Sequence, residues 1–230
     1  PNVMGRKVTG VAPPRPPRIR HDPTNTRDTV HMSIWYGAHV ADESELRLCG
    51  DLAGKRVIEL GLAAAAGSIT PNSVTAAMAG AKAMALDPDP QAIAAVRAAA
   101  ELAEVKVECH RGDLADLGFA TSASVDLVVA SHTLAGVDDL PRVLRQVHRV
   151  LKPGAPIVVA TRHPVAAMFG GTEHTATAAY GALSTTFTEL YMSFERSNFR
   201  LDVVHELNDQ RVREPLCPAV LVVRARKQGD

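Results

Sequence analysis

The sequence predicts an α/β fold: an open, mostly parallel, doubly wound sheet with crossover helices, closed by an antiparallel strand pair at its C-terminal end. Three observations predict it. Short apolar runs alternate with stretches of helical periodicity, as parallel strands and their crossovers do. The intervening stretches open on helix-start signals. The last two apolar runs are joined by a short link, which allows them to pair antiparallel. At 230 residues, 46% hydrophobic and 22% charged, the chain has the apolar content of a large globular core.

Taken in order, the strands are expected at residues 56–60 (RVIEL), 82–86 (KAMAL), 105–110, 125–130 (VDLVVA) and 156–160 (PIVVA). Each is a short, nearly continuous apolar run, the form of a strand buried on both faces. Two helices between them carry start signals, Thr70 before Pro71 and Asp89 before Pro90, each a capping residue followed by proline at the first helical position. A third helix, residues 140–151, is stopped by Lys152-Pro153-Gly154. The rhythm then changes. Residues 161–185 hold scattered Gly, Thr and His without a period, long enough for a lid or substrate loop. A helix at 186–196 and strands at 199–207 and 219–226 follow.

Residues 1–30 are different in kind. Arg6, Lys7, Arg15, Arg18 and Arg20 stand among Pro13, Pro14, Pro16 and Pro17 with little to bury, which reads as a solvated, basic, proline-rich tail. The first residue is not Met, which suggests numbering from inside a longer chain. No linker interrupts the rest, so residues 31–230 are expected to form one domain.

Composition narrows the function. The formal net charge is zero, so nothing overall advertises nucleic acid or a membrane surface, and neither is expected as a partner. No apolar run approaches a membrane span, since even residues 62–86 are broken by Ser68, Thr70, Pro71, Asn72 and Lys82. Cys49, Cys109 and Cys217 are odd in number and show no zinc-ligand spacing, so no metal site is expected and a reducing cytoplasm fits best. No apolar signal core follows the basic N-terminus. Oligomeric state is not legible.

An open parallel sheet binds ligand at the carboxyl ends of its strands, where strand order reverses. Those ends carry Glu59-Leu60-Gly61, then Asp87-Pro88, Gly112-Asp113-Leu114, Ser131-His132 and Thr161-Arg162-His163-Pro164. Asp87 is the sharpest candidate: Asp89 can cap the next helix, leaving Asp87 to accept ribose hydroxyls or to close a turn on its own backbone. Gly61 to Asp87 is longer than the roughly 20 residues of a dinucleotide fold, so the first loop is extended. A nicotinamide oxidoreductase also wants G-x-G-x-x-G after the first strand, which is absent here.

Five segments in this order and spacing resemble the class I S-adenosylmethionine (SAM) dependent methyltransferases, in the small-molecule, UbiE-like (methyltransferase type 11) branch. They are Gly54-Lys55-Arg56-Val57-Ile58-Glu59-Leu60-Gly61, residues 81–88, Arg111-Gly112-Asp113-Leu114-Ala115-Asp116-Leu117, Val125-Asp126-Leu127-Val128-Val129, and Arg149-Val150-Leu151-Lys152-Pro153-Gly154. The resemblance implies transfer of a methyl group from SAM to a small molecule. It further implies that Glu59 and Gly61 set the loop at the methionine part, Asp87 and Pro88 hold the ribose, Asp113 faces the adenine amino group, the Leu114 backbone faces the ring, and Ser131 lies near the methionine end.

The chain departs from the family's Gly-x-Gly-x-Gly, reading Gly61-Leu62-Ala63-Ala64-Ala65-Ala66-Gly67. Alanine adds a Cβ where glycine lets backbone approach ligand. A non-catalytic, methyltransferase-like binding module is therefore the alternative function. For the acceptor side, His163 is the expected base, with His132 as a second histidine that titrates near neutrality, Arg162 as a holder of an acidic acceptor, and Tyr36, beside Trp35, as part of a cover over the site.

Overall fold

A computed structural model describes residues 33–62, 70–135, 137–169 and 175–229. The basic tail and most of the alanine-rich loop, residues 63–69, therefore lie outside the described residues. Seven strands form one sheet in the order β3-β2-β1-β4-β5-β7-β6. They are β1 (Arg56–Leu60), β2 (Lys82–Asp87), β3 (Val107–Arg111), β4 (Leu127–Ser131), β5 (Pro156–Arg162), β6 (Phe199–Leu207) and β7 (Val220–Lys227). The first five pair parallel, and β7 pairs antiparallel with both β5 and β6. Order reverses between β1 and β4, so the ligand crevice falls at the carboxyl ends of those two strands.

Helices α1 (Glu43–Leu46), α2 (Asn72–Met78), α3 (Pro90–Leu102), α4 (Leu140–Val150) and α5 (Phe187–Arg196) complete the elements. One face of the sheet carries Ile58, Leu60, Val128 and Val159 against Val143, Leu144 and Val147 of α4 and Leu190 and Phe194 of α5. The opposite face packs against Val74 of α2, Ile93 and Val96 of α3, and an N-terminal stretch bringing Ile34, Tyr36, Val40 and Leu48 onto Val57, Val129 and Val158. Strands β1, β4 and β5 are covered on both faces, which is why they read as unbroken apolar runs. No described helix is long and apolar enough to cross a membrane.

Several boundaries differ from the expectation for identifiable reasons. Thr70 does not cap α2. Pro71 occupies the cap position, makes no side-chain cap, and leaves the first N–H groups to Glu59. β3 begins at Val107 rather than 105 because the Val105 N–H closes α3 by donating to the Ala100 carbonyl, past Glu104 in a left-handed conformation. Val125 bridges to Leu151, so β4 starts at Leu127. β5 runs two residues past Ala160, held by pairing of Thr161 with Leu221 and Arg162 with Val220. The stretch expected as a lid thus begins as strand, then makes a 3-10 turn at Ala166–Met168 and a bridge between Phe169 and Ala176. Asp89 caps α3 through the Gln91 N–H, and Thr186 with Glu189 forms a capping box on α5.

Candidate cofactor and substrate site

A pocket of about 290 Å³ opens at the carboxyl ends of β1, β2 and β4, lined by Gly61, Leu62, Asp87, Pro88, Leu114 and Thr133, with Asp89, Ala92 and His132 completing it. Of the residues expected from sequence, Gly61, Asp87, Pro88, Leu114 and His132 meet here. Leu62, Ala92 and Leu114 give it apolar walls, and the two acids stand on one side.

Gly61 is held by its N–H bond to the Leu86 carbonyl (2.8 Å) with φ +77°. A Cβ there would come within 2.3 Å of Thr133 Cβ and 2.7 Å of its Oγ1. Glycine is required because the backbone is left-handed and because Thr133 crosses directly over it, its hydroxyl donating to the Leu60 carbonyl at 2.6 Å. Asp87 ends β2 with Oδ2 accepting from the Leu62 N–H (2.7 Å) and Oδ1 from the Asp89 N–H (2.7 Å). The carboxylate thereby fixes the first residue of the β1–α2 loop, and each oxygen retains a lone pair for a further donor.

Glu59 lies beneath the pocket, not in it. It is 2% exposed, with Oε1 accepting from the Asn72 N–H and Oε2 from both the N–H and hydroxyl of Ser73 (2.6–3.1 Å). A side chain from the middle of the sheet therefore caps α2, replacing the local cap that Pro71 does not supply. Burial pushes its carboxyl above the usual range, and the hydrogen bonds from Ser73 and Asn72 oppose that.

Asn72, unmarked in the sequence reading, joins three parts of the site. Its Oδ1 accepts from the Trp35 N–H (2.7 Å), while Nδ2 donates to the Trp35 carbonyl (3.0 Å) and to Ser131 Oγ (3.2 Å). Ser131 Oγ donates in turn to the Trp35 carbonyl. Ser131 is thus buried in a polar knot with Trp35 and Asn72, outside the pocket lining. An Asn opening a helix is an ordinary sequence feature, so only the fold, which brings residue 35 to it, marks the role.

His132 sits in the left-handed region (φ 60°), its ring 5.5 Å from that of Trp35. Its Nε2 lies 2.8 Å from the Tyr36 carbonyl. A carbonyl can only accept, so Nε2 carries the hydrogen. Burial lowers the His132 pKa below 6.5, with the bond to Tyr36 opposing. The ring is neutral at pH 7, and Nδ1 holds the lone pair.

Other expected residues lie apart from the pocket lining. Tyr36 is fully buried, with its hydroxyl donating to Glu43 Oε2 at 2.6 Å and 3.3 Å from Cys49 Sγ. It anchors the N-terminal stretch and has no face for a substrate, which corrects the expected contact; burial raises both the phenol and the Cys49 thiol far above their usual ranges. Asp113 accepts from the Ala115 N–H and sits 3.6 Å from Arg142 on an exposed edge. The Arg162 guanidinium donates to the carbonyls of Ala166 and Phe169, bracing the turn after β5. His163 is 5% exposed; its Nδ1 accepts from the Val165 N–H and its Nε2 meets Glu206 Oε1 at 2.9 Å. Both nitrogens are engaged between β5 and the edge strand β6.

Comparison with known proteins agrees with this architecture. Residues 62–159 match the family described as a methyltransferase domain. Among solved structures, an S-adenosylmethionine dependent methyltransferase from Mesorhizobium loti is 22% identical, with TM-score 0.60 over 77% of this chain and 93% of that one. A SAM-dependent methyltransferase from Methanosarcina mazei is 21% identical, with TM-score 0.58 over 77% and 94%. The cyclase SpnF is 15% identical, with TM-score 0.61 over 88% of each chain. At such identities the likeness is one of fold, and the cyclase shows that the fold alone does not fix the reaction. No curated protein matches the sequence. Residues 62–159 thus match the methyltransferase-domain family, in a chain whose fold is that of the class I SAM-dependent methyltransferases.

Proposed function

We propose that the protein binds SAM in the pocket between β1, β2 and β4 and transfers its methyl group to a small molecule. The observation that carries this reading is the meeting of Asp87, the left-handed Gly61 and the apolar walls of Leu62, Pro88 and Leu114 in one crevice at the strand-order switch. The donor set fits the nucleoside half of SAM: a carboxylate with free lone pairs for ribose hydroxyls and aliphatic surface for a purine. Asp113 serves the adenine amino group by sharing its Oδ2 with Arg142. Glu59 acts one step removed, by capping the helix that ends the cofactor loop.

Bound SAM supplies a methyl group already activated by its positively charged sulfur, so the protein's task is positioning in a dry crevice. Where the acceptor arrives protonated, His132 Nδ1 takes the proton, because His132 lines the pocket and its Nε2 is already bonded to the Tyr36 carbonyl. His163 then serves as a brace from the end of β5 to Glu206 of β6, past the start of β7 that lies between them, and Arg162 holds the turn beside it. His132→Gln should lower kcat by about tenfold to a hundredfold, leaving the SAM Kd within about twofold. Its loss should also flatten the acid limb of stability. The folded-state pKa of His132 lies below the unfolded 6.5, so its contribution is present above pH 6.5 and lost as pH falls towards the folded value. Unchanged turnover of His132→Gln with a protonated acceptor at pH 6–8 would remove the histidine from the reaction.

Saturating SAM or its demethylated product should raise Tm by about 5–10 °C, the shift for ligand near 100 times Kd. Asp87→Ala should weaken binding about tenfold to a hundredfold, the scale of one charge-assisted hydrogen bond. Absence of any shift or calorimetric heat with either ligand at millimolar concentration would favour the binding-module alternative.

A further inference from the structure

A second pocket, of about 240 Å³, lies at the other end of the sheet. It is lined by Arg145 and His148 of α4 and by Arg196, Ser197 and Asn198, where α5 hands over to β6. Helix α4 ends just before β5 starts, and β6 starts at Phe199. The pocket is therefore on the opposite side of the sheet's strand ends from the candidate SAM site.

Its lining is unusual in charge. Two arginines, a histidine, an amide and a hydroxyl are present, and no carboxylate is among the described residues that line it. The side chains of Arg145 and Arg196 make no hydrogen bond or ion pair with any described residue, so both guanidinium groups keep all their donors for a ligand. Ser197 is 6% exposed, yet its Oγ has no partner among the described residues. The groups around it are already fixed. His148 Nε2 meets the Gln228 carbonyl at 2.9 Å, which makes that nitrogen a donor, and its ring stands edge-on to Phe199. The buried Lys227 Nζ donates to the Leu151 carbonyl at the end of α4.

We propose that this pocket binds a phosphate group. Guanidinium forks match oxyanions in geometry and charge, and the exposed Asn198 supplies a neutral donor. At about 240 Å³ the pocket has room for a phosphate and a few atoms beyond it, as in a phosphate monoester. The carbonyls ending α5 work against an anion here, so the arginines must carry the binding, and their removal is the sensitive test.

Inorganic phosphate is the probe, titrated into the full chain without SAM by calorimetry and against chloride at equal ionic strength. Saturable binding is expected with Kd at or below about 1 mM, weakened at least tenfold in R145Q/R196Q. Both arginines are exposed, so the double variant folds. Asn198→Ala should weaken phosphate severalfold, since it removes the neutral donor on the exposed side of the pocket. Glycerol 3-phosphate binding more tightly than phosphate would identify an ester as the ligand; equal affinity would identify the free ion. Failure to saturate by about 20 mM phosphate, or affinity unchanged in R145Q/R196Q, would overturn the proposal. SAM-induced stabilisation is read separately and should be unchanged in R145Q/R196Q.

Discussion

Gly61→Ala should destabilise the protein by about 2–5 kcal/mol, a large part of the 5–15 kcal/mol that holds a typical domain folded. Two costs combine. A left-handed conformation disfavours any Cβ by about 1–2 kcal/mol, and at Gly61 φ is +77°. The added methyl also lands 2.3 Å from Thr133 Cβ, an overpacking that costs about 1–3 kcal/mol in a close-packed interior. The neighbour to be displaced is a short side chain tied by its hydroxyl to the Leu60 carbonyl, so it cannot swing away. Thr133→Ala would not relieve the clash, because the nearest atom is the Cβ that alanine keeps. Thr133→Gly would relieve it and leave only the conformational cost, so a double-mutant cycle in urea separates the two. A Gly61→Ala protein within about 0.5 kcal/mol of the parent would show that this turn reshapes freely.

Glu59→Ala should cost about 3–5 kcal/mol, since it strips acceptors from two buried N–H groups and one hydroxyl at once. Glu59→Gln keeps the shape and one acceptor and should fall between. The pH dependence identifies the group. Its carboxyl has a folded-state pKa above the unfolded 4.5, so its contribution is full below pH 4.5 and declines as pH rises through the folded value. Equilibrium unfolding of Glu59→Gln should lack that decline; a parallel pH profile for parent and variant would place the titration elsewhere.

The strands were legible because β1, β4 and β5 are covered on both faces, and a doubly covered strand can only be an apolar run. Helix α3 announced itself through Asp89 and Pro90, a signal contained within a few residues. Helix α2 was announced by Thr70 and Pro71 but its cap was not, because the cap comes from Glu59, thirteen residues earlier, and no local pattern encodes a bond that the fold creates. The same holds at the site. Asp87, Pro88 and Leu114 follow directly from strand ends and reach the pocket. Asn72 and Thr133 act by crossing to residues brought near by topology, and nothing in their own neighbourhoods marks them. His163 illustrates the opposite error: it stands at a strand end, yet β6, which arrives some forty residues later, engages its ring through Glu206.

Asn72 grips Trp35 by both main-chain groups, and Trp35 is the chain's single tryptophan. From Glu59 at the centre of the sheet, through the first turn of α2, to the indole beside His132, the connections are direct hydrogen bonds and one ring contact. Linkage along such a series runs both ways: a ligand that orders the start of α2 also orders the approach of the N-terminal stretch, and loosening that stretch weakens the ligand by the same factor. The protein therefore carries its own optical reporter, in which the emission of one residue follows the state of the crevice without any label.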